Sequence, residues 1–121
     1  ASCEAAAAMA YKKAGWDKPQ TDIAEVSASS AVSELMAIEA LGLAPAGKGL
    51  AAELDGKVRI NQSGGALPAD PIMATGLIRL ANAASQLSRP ELYGSGNPGR
   101  AIAHGAGGVA MQSNCVFTLE V

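Results

Sequence analysis

Four aromatic rings are all this chain has to fill a core with: Tyr11, Trp16, Tyr93 and Phe117. Alanine is its commonest residue, and glycine follows with 14 copies. A core of Ala, Leu, Ile, Val and Met has small side chains, so backbones must approach closely to exclude water. That points to tight layers of helix on sheet. With 49% hydrophobic and 17% charged residues, the chain has the balance of a folded domain. Its 121 residues allow one domain, residues 1–121, and one core.

Charge and cysteine usage exclude several classes. The net charge is −2 and no basic run is present, which argues against nucleic acid as a partner. The apolar stretch Ala5 to Ala10 is too short to span a bilayer, and no basic residue precedes it as in a signal peptide. Cytoplasmic residence is the expectation. Two cysteines, Cys3 and Cys115, make no disulfide framework. A single histidine without a Cys-x-x-Cys pair leaves no expected metal site.

Periodicity and turn residues divide the chain. Ala1 to Gly15 reads as a helix, with Glu4 near its positive end, Lys12 and Lys13 near its negative end, and Met9 and Tyr11 on its packing face. Asp22 to Val26 reads as a strand, Ser27 to Ser30 as a loop, and Ala31 to Leu43 as a helix with Val32, Leu35, Met36, Ile38 in part and Leu41 apolar. Ala44 to Gly56 reads as loop and Val58 to Asn61 as a strand. Gln62 to Asp70 is irregular. Asp70-Pro71 is expected to open a helix running to about Ser88, with Ile72, Leu77, Leu80, Ala81, Ala84 and Leu87 as one stripe. Ser88 to Gly99 is a turn-rich insert. Arg100 to His104 is a strand candidate, Gly105 to Gly108 a tight turn, and Val109 to Val121 mostly strand. This alternation predicts a layered α/β domain with a mixed, mostly parallel sheet, helices on both faces and a final antiparallel pair.

Chemistry concentrates in three segments. In NQSGGALPADPIMATG, Gly64 and Gly65 permit an unusual backbone, and Asp70 either caps a helix or offers its carboxylate to a ligand. In HGAGG, His104 either transfers a proton or merely packs, and the amides of Gly107 and Gly108 suit an oxyanion. In SASS, Ser29 or Ser30 caps the next helix, or Ser29 stands as a reactive hydroxyl, although no Gly-x-Ser-x-Gly elbow is present. Cys115, between Asn114 and Val116, reads as a buried small hydrophobe.

Taken together, four segments resemble the C-terminal part of the thiolase superfamily, nearest to the sterol-carrier-protein-type and archaeal thiolases and the thiolase-like aldolases. They are EAAAAMAYKKAGW, DIAEVSASSAVSELMAIEALGL, NQSGGALPADPIMATGLIRL and AIAHGAGGVAMQSNCVFTLEV. The resemblance implies a thiolase-like fold acting on coenzyme A thioesters, with coenzyme A as part of the substrate and no separate bound cofactor. It also implies departures. Ser27-Ala28-Ser29-Ser30 stands where the family has His-Asp-Cys-Phe, and Ala69-Asp70-Pro71 where it has Gly-His-Pro. His104, Gly107 and Gly108 keep the pattern of the final turn.

Ordinary condensation residues are therefore replaced. The expected activity is carbon–carbon cleavage, such as the retro-aldol of a β-hydroxyacyl-CoA in lipid or sterol side-chain metabolism, with His104, Asp70 and Ser29 as catalytic candidates and Gly64, Gly65, Gly107 and Gly108 near the substrate. An acetyl-CoA acetyltransferase-type activity and a non-catalytic subunit are the alternatives. The resemblance further implies a complementary N-terminal thiolase half, an oligomer, and a zinc-ribbon/OB-fold partner protein. The family's C-terminal half begins with strands that this sequence lacks, so the expectation is a fragment or split subunit with an uncovered sheet edge.

Overall fold

The computed structural model describes residues 2–94 and 96–121. Ala1, at the start of the expected first helix, and Ser95, in the expected insert, lie outside them. Among the described residues, four α-helices and four strands follow in the order α1 (Ser2–Ala14), β1 (Ile23–Val26), α2 (Ala31–Ala40), α3 (Gly49–Asp55), β2 (Arg59–Ile60), α4 (Thr75–Ser88), β3 (Arg100–Gly107) and β4 (Ser113–Glu120). The sheet order is β2-β1-β3-β4. β1 runs parallel to both neighbours, and β4 runs antiparallel to β3. The layered, mostly parallel α/β reading holds.

Helices cover both faces of this sheet. Ala24, Val26 and Ile102 point to one face, where they meet Ala7, Tyr11, Trp16, Ala37 and Leu41. Ile23, Ala101 and Ala103 point to the other, against Ala83 and Leu87 of α4. The period-2 alternation of the strands makes this division. The small residues do what their size requires. A Cβ built on Gly76 in α4 would lie 3.3 Å from the Gly105 Cα in β3, so helix and strand touch backbone to backbone.

Several sequence expectations need correction. α3 lies inside the stretch expected to be loop, and Gly56 with φ +66 ends it. Its seven residues are too short to show helical periodicity. α4 begins at Thr75, not at Asp70-Pro71. Residues 71–74 form a separate turn closed by the Ala74 N–H donating to the Pro71 carbonyl, and the Asp70 carboxylate accepts from the Thr75 hydroxyl instead of capping the backbone. β3 continues through Gly107, because pairing with β4 extends to Gly107–Ser113. The reversal is made by Gly108 (φ +77) and a single 3-10 turn at Val109–Met111.

The expected apolar stripes are also displaced. Ile72 and Leu77 are 84% and 70% exposed, while Arg79 and Gln86 are buried. The cause is Glu25, wholly buried on the sheet face beneath α4. A carboxylate there needs donors, and α4 turns its polar side inward to supply them. Val32 and Met36 of α2 and Met9 of α1 are exposed as well. Cys115 is exposed, not buried, because β4 is an edge strand. Among the described residues no helix is long and apolar enough to cross a membrane.

Candidate functional site

The three parallel strands all end on one side of the molecule, where ligands bind in open α/β sheets. Three segments meet there. Ser27 to Ser30 follow β1, Asn61 to Gly65 follow β2, and the β3–β4 reversal follows β3. The N-terminus of α4 enters from the α4 face, and its first-turn N–H groups lack helical acceptors.

Ser30 caps α2: its hydroxyl accepts from the Ser33 N–H at 3.2 Å, and the Ser33 hydroxyl closes a reciprocal capping box. That leaves Ser29 outside the helix and exposed. Ser27, Ser29, Asp70, Thr75, Ala106 and Met111 line a small cavity of about 110 Å³. An open groove of about 340 Å³ adjoins it, sharing Ile72 and Ala106 and running past Gly76, Gly105, Gly107 and Cys115. Two of the sequence candidates, Ser29 and Asp70, are thus brought together in one cavity, and Gly107 lies in the groove beside it.

The other candidates sit elsewhere. Gly108 makes the reversal after β3. Gly64 and Gly65 form a turn with φ +99 and +64, Gly64 near the Pro68 ring and Gly65 against the Asn61 side chain, and line neither hollow. His104 is buried within β3 and lines neither hollow. Its Nε2 lies 2.8 Å from Asn114 Oδ1, and its Nδ1 has no hydrogen-bond partner. Burial pushes the imidazole pKa below its usual value, against the smaller opposing effect of Asn114. Among the described residues no group of three or more His, Cys, Asp and Glu side chains could hold a metal ion.

Sequence reasoning missed the network that holds the loop after β2. Glu25 accepts from the Ser63 N–H at 3.2 Å, the Ser63 hydroxyl at 2.6 Å, Gln86 Nε2 at 2.6 Å and Arg79 Nη1 at 3.1 Å. Asn61 joins the same loop to β1 and α2: its Oδ1 accepts from the Val26 N–H, and its Nδ2 donates to Glu34, each at 2.6 Å. Burial raises the Glu34 pKa more than that bond lowers it. Glu25 follows Ile23 by two residues, which puts both on one face of β1. Arg79 and Gln86 are seven apart, on one face of a helix. Those spacings were the available signal.

A family model described as thiolase C-terminal domain-like matches residues 1–120. The chain belongs to this family. Comparison with curated proteins finds no match. The cavity of this thiolase-like domain holds hydroxyls and one carboxylate, from the two segments that depart from the family pattern, Ser27–Ser30 and Ala69–Pro71. Neither cysteine lines it, and Cys115 lines the adjoining groove.

Proposed function

We propose that this thiolase-like domain forms part of a site for carbon–carbon cleavage of a β-hydroxyacyl-CoA. The observation that carries the reading is the Asp70 carboxylate lining one cavity with Ser27 and Ser29. A carboxylate suits removal of a hydroxyl proton and opposes a thioester oxyanion. In the proposed step Asp70 takes the proton of the β-hydroxyl. The Cα–Cβ bond breaks, a carbonyl product leaves, and the electron pair remains as the thioester enolate. Return of that proton from Asp70 to the enolate carbon gives the shortened acyl-CoA and restores the carboxylate, so the reaction balances without an acyl-cysteine or a redox partner. The start of α4 reaches the same cavity through Thr75, so the positive end of the helix dipole would favour the enolate.

Ser29 in the same cavity supports a second reading, an acetyl-CoA acetyltransferase-type activity with a hydroxyl in place of the second cysteine. A serine hydroxyl is a poorer acid and base than a thiol at neutral pH, so this ranks lower. Both readings need a complementary chain such as an N-terminal thiolase half. Support for one comes from the outward side of α4 and its approach, where Met73 is 99% and Leu77 70% exposed, and from the unpaired edge of β4. A zinc-ribbon/OB-fold protein is a further proposed partner of the cleavage reaction. The deciding experiment assays the assembled protein on β-hydroxyacyl-CoA and on acetoacetyl-CoA. Cleavage of the first, lost in Asp70→Asn, is expected. Thiolysis of the second, unchanged in Asp70→Asn and lost in Ser29→Ala, would replace the first reading with the second. A fully active assembly carrying both substitutions would leave this chain a non-catalytic subunit.

A further inference from the structure

His104 is the chain's one histidine, and it is 1% exposed. Its one hydrogen-bond partner fixes the tautomer of the neutral ring. The Asn114 amide nitrogen donates to the Met111 carbonyl at 2.9 Å and to Ser2 Oγ at 2.8 Å. A backbone carbonyl can only accept, so the NH2 end of Asn114 must face Met111. Its oxygen therefore faces His104, and the hydrogen of the neutral imidazole must sit on Nε2. The committed nitrogen is the one bearing the proton. The other, Nδ1, is sealed from solvent and from the Asp70 cavity.

The opposite end of this chain of bonds reaches the cavity. Met111 lines it, and both Met111 and Ala110 hold left-handed backbones, φ +54 and +52, which side chains with a Cβ rarely adopt. Such a conformation persists only where its surroundings over-determine it. The turn's own backbone bonds are long: the Met111 N–H to the Gly108 carbonyl at 3.2 Å and the Gln112 N–H to the Val109 carbonyl at 3.3 Å. The bond from Asn114 is shorter than either. Asn114 can hold the turn only if its amide is oriented, and His104 Nε2–H orients it.

We propose that His104 is a positioning residue: through Asn114 it fixes the strained Val109–Met111 turn that walls the Asp70 cavity, and it exchanges no proton with substrate. The inference rests on the proposed site for its kinetic consequence but not for its geometry, and two experiments separate these. In the first, nitrogen-15 spectra of the assembled protein, with this chain alone isotope-labelled, report the His104 imidazole directly. A neutral ring with hydrogen on Nε2 at pH 7 is expected; hydrogen on Nδ1, or an imidazolium, overturns the proposal. The Met111 methyl resonance is read in the same samples. It should shift in Asn114→Ala and stay in place in His104→Gln, whose amide nitrogen replaces Nε2–H. An unmoved methyl in Asn114→Ala overturns the proposal whether or not the protein cleaves any thioester.

The second experiment is kinetic, on β-hydroxyacyl-CoA. His104→Gln should stay within ~3-fold of the parent in kcat/KM with the same pH profile. Asn114→Ala should lose ~10-fold or more, because a displaced wall misplaces the substrate. An inactive His104→Gln with intact tautomer-matched geometry at Met111, or loss of one limb of its pH profile, would make His104 a proton-transfer group and overturn the proposal.

Discussion

Arg79→Met removes the one cation bonded to a carboxylate that has no access to water. Glu25 is wholly buried, and the Arg79 side chain is 5% exposed, so solvent screens the pair very little. Glu25 would keep three donors, the Ser63 N–H and hydroxyl and Gln86 Nε2, but no compensating charge. Breaking a buried pair from one side costs ~3–5 kcal/mol. Against a total stability of ~5–15 kcal/mol, that is a fifth or more of what holds the domain together. At an m-value of ~1–3 kcal/mol/M, the urea midpoint should fall by ~2 M. Glu25→Gln should cost a similar amount, because it leaves the guanidinium buried alone. The double variant carries neither charge and should be ~1–3 kcal/mol more stable than the sum of the singles predicts. The assay is equilibrium urea unfolding of the assembled protein, followed by fluorescence. Strict additivity, or an Arg79→Met loss under ~1 kcal/mol, would refute the argument that the pair determines which side of α4 faces inward.

Three further outcomes follow from single contacts. Gly105→Ala puts a Cβ 3.2 Å from the Gly76 Cα and should cost ~1–3 kcal/mol in urea unfolding, whereas Gly76→Ala regains up to ~1 kcal/mol of helix propensity and should cost less. Tyr11→Phe deletes the 2.7 Å bond to the buried Leu41 carbonyl and should lower the unfolding free energy by ~1–2 kcal/mol, which thermal melts would register. His104 has a folded pKa below its unfolded value of ~6.5, so the unfolded chain binds more protons as pH falls through that range. Its contribution is full above ~pH 6.5 and lost below it, and His104→Gln should lose less stability between ~pH 7.5 and 5 than the parent, as paired urea titrations would measure.

The strands were legible because alternation and flanking turn residues are local. β1 was placed to within a residue, and the hairpin of β3 and β4 was expected from its glycines. What escaped the sequence depends on partners far along the chain. Glu25 and Arg79 lie 54 positions apart, and neither announces that it is buried until the other is placed opposite. The helical stripe on α4 was real, but its direction depended on that polar pair. Asp70-Pro71 carried a strong helix-start signal, yet the Thr75 hydroxyl captured the carboxylate and the helix began later. At the site, turn context and the family resemblance single out Asp70 and Ser29, and the fold brings them into one cavity. Asn114 carried no local signal, because its importance comes from facing His104 across a strand pair.

Trp16 gives the domain an internal reporter. Its indole stacks on Tyr11 with centroids 6.0 Å apart, lies 4.9 Å from the Arg100 guanidinium, and donates to Glu120 from a position 104 residues away. It is also the chain's one tryptophan. Its emission therefore senses the docking of the first helix and the last strand at once. A change in that signal on adding a partner would record, without any label, whether the two ends of the chain have been drawn together or pulled apart.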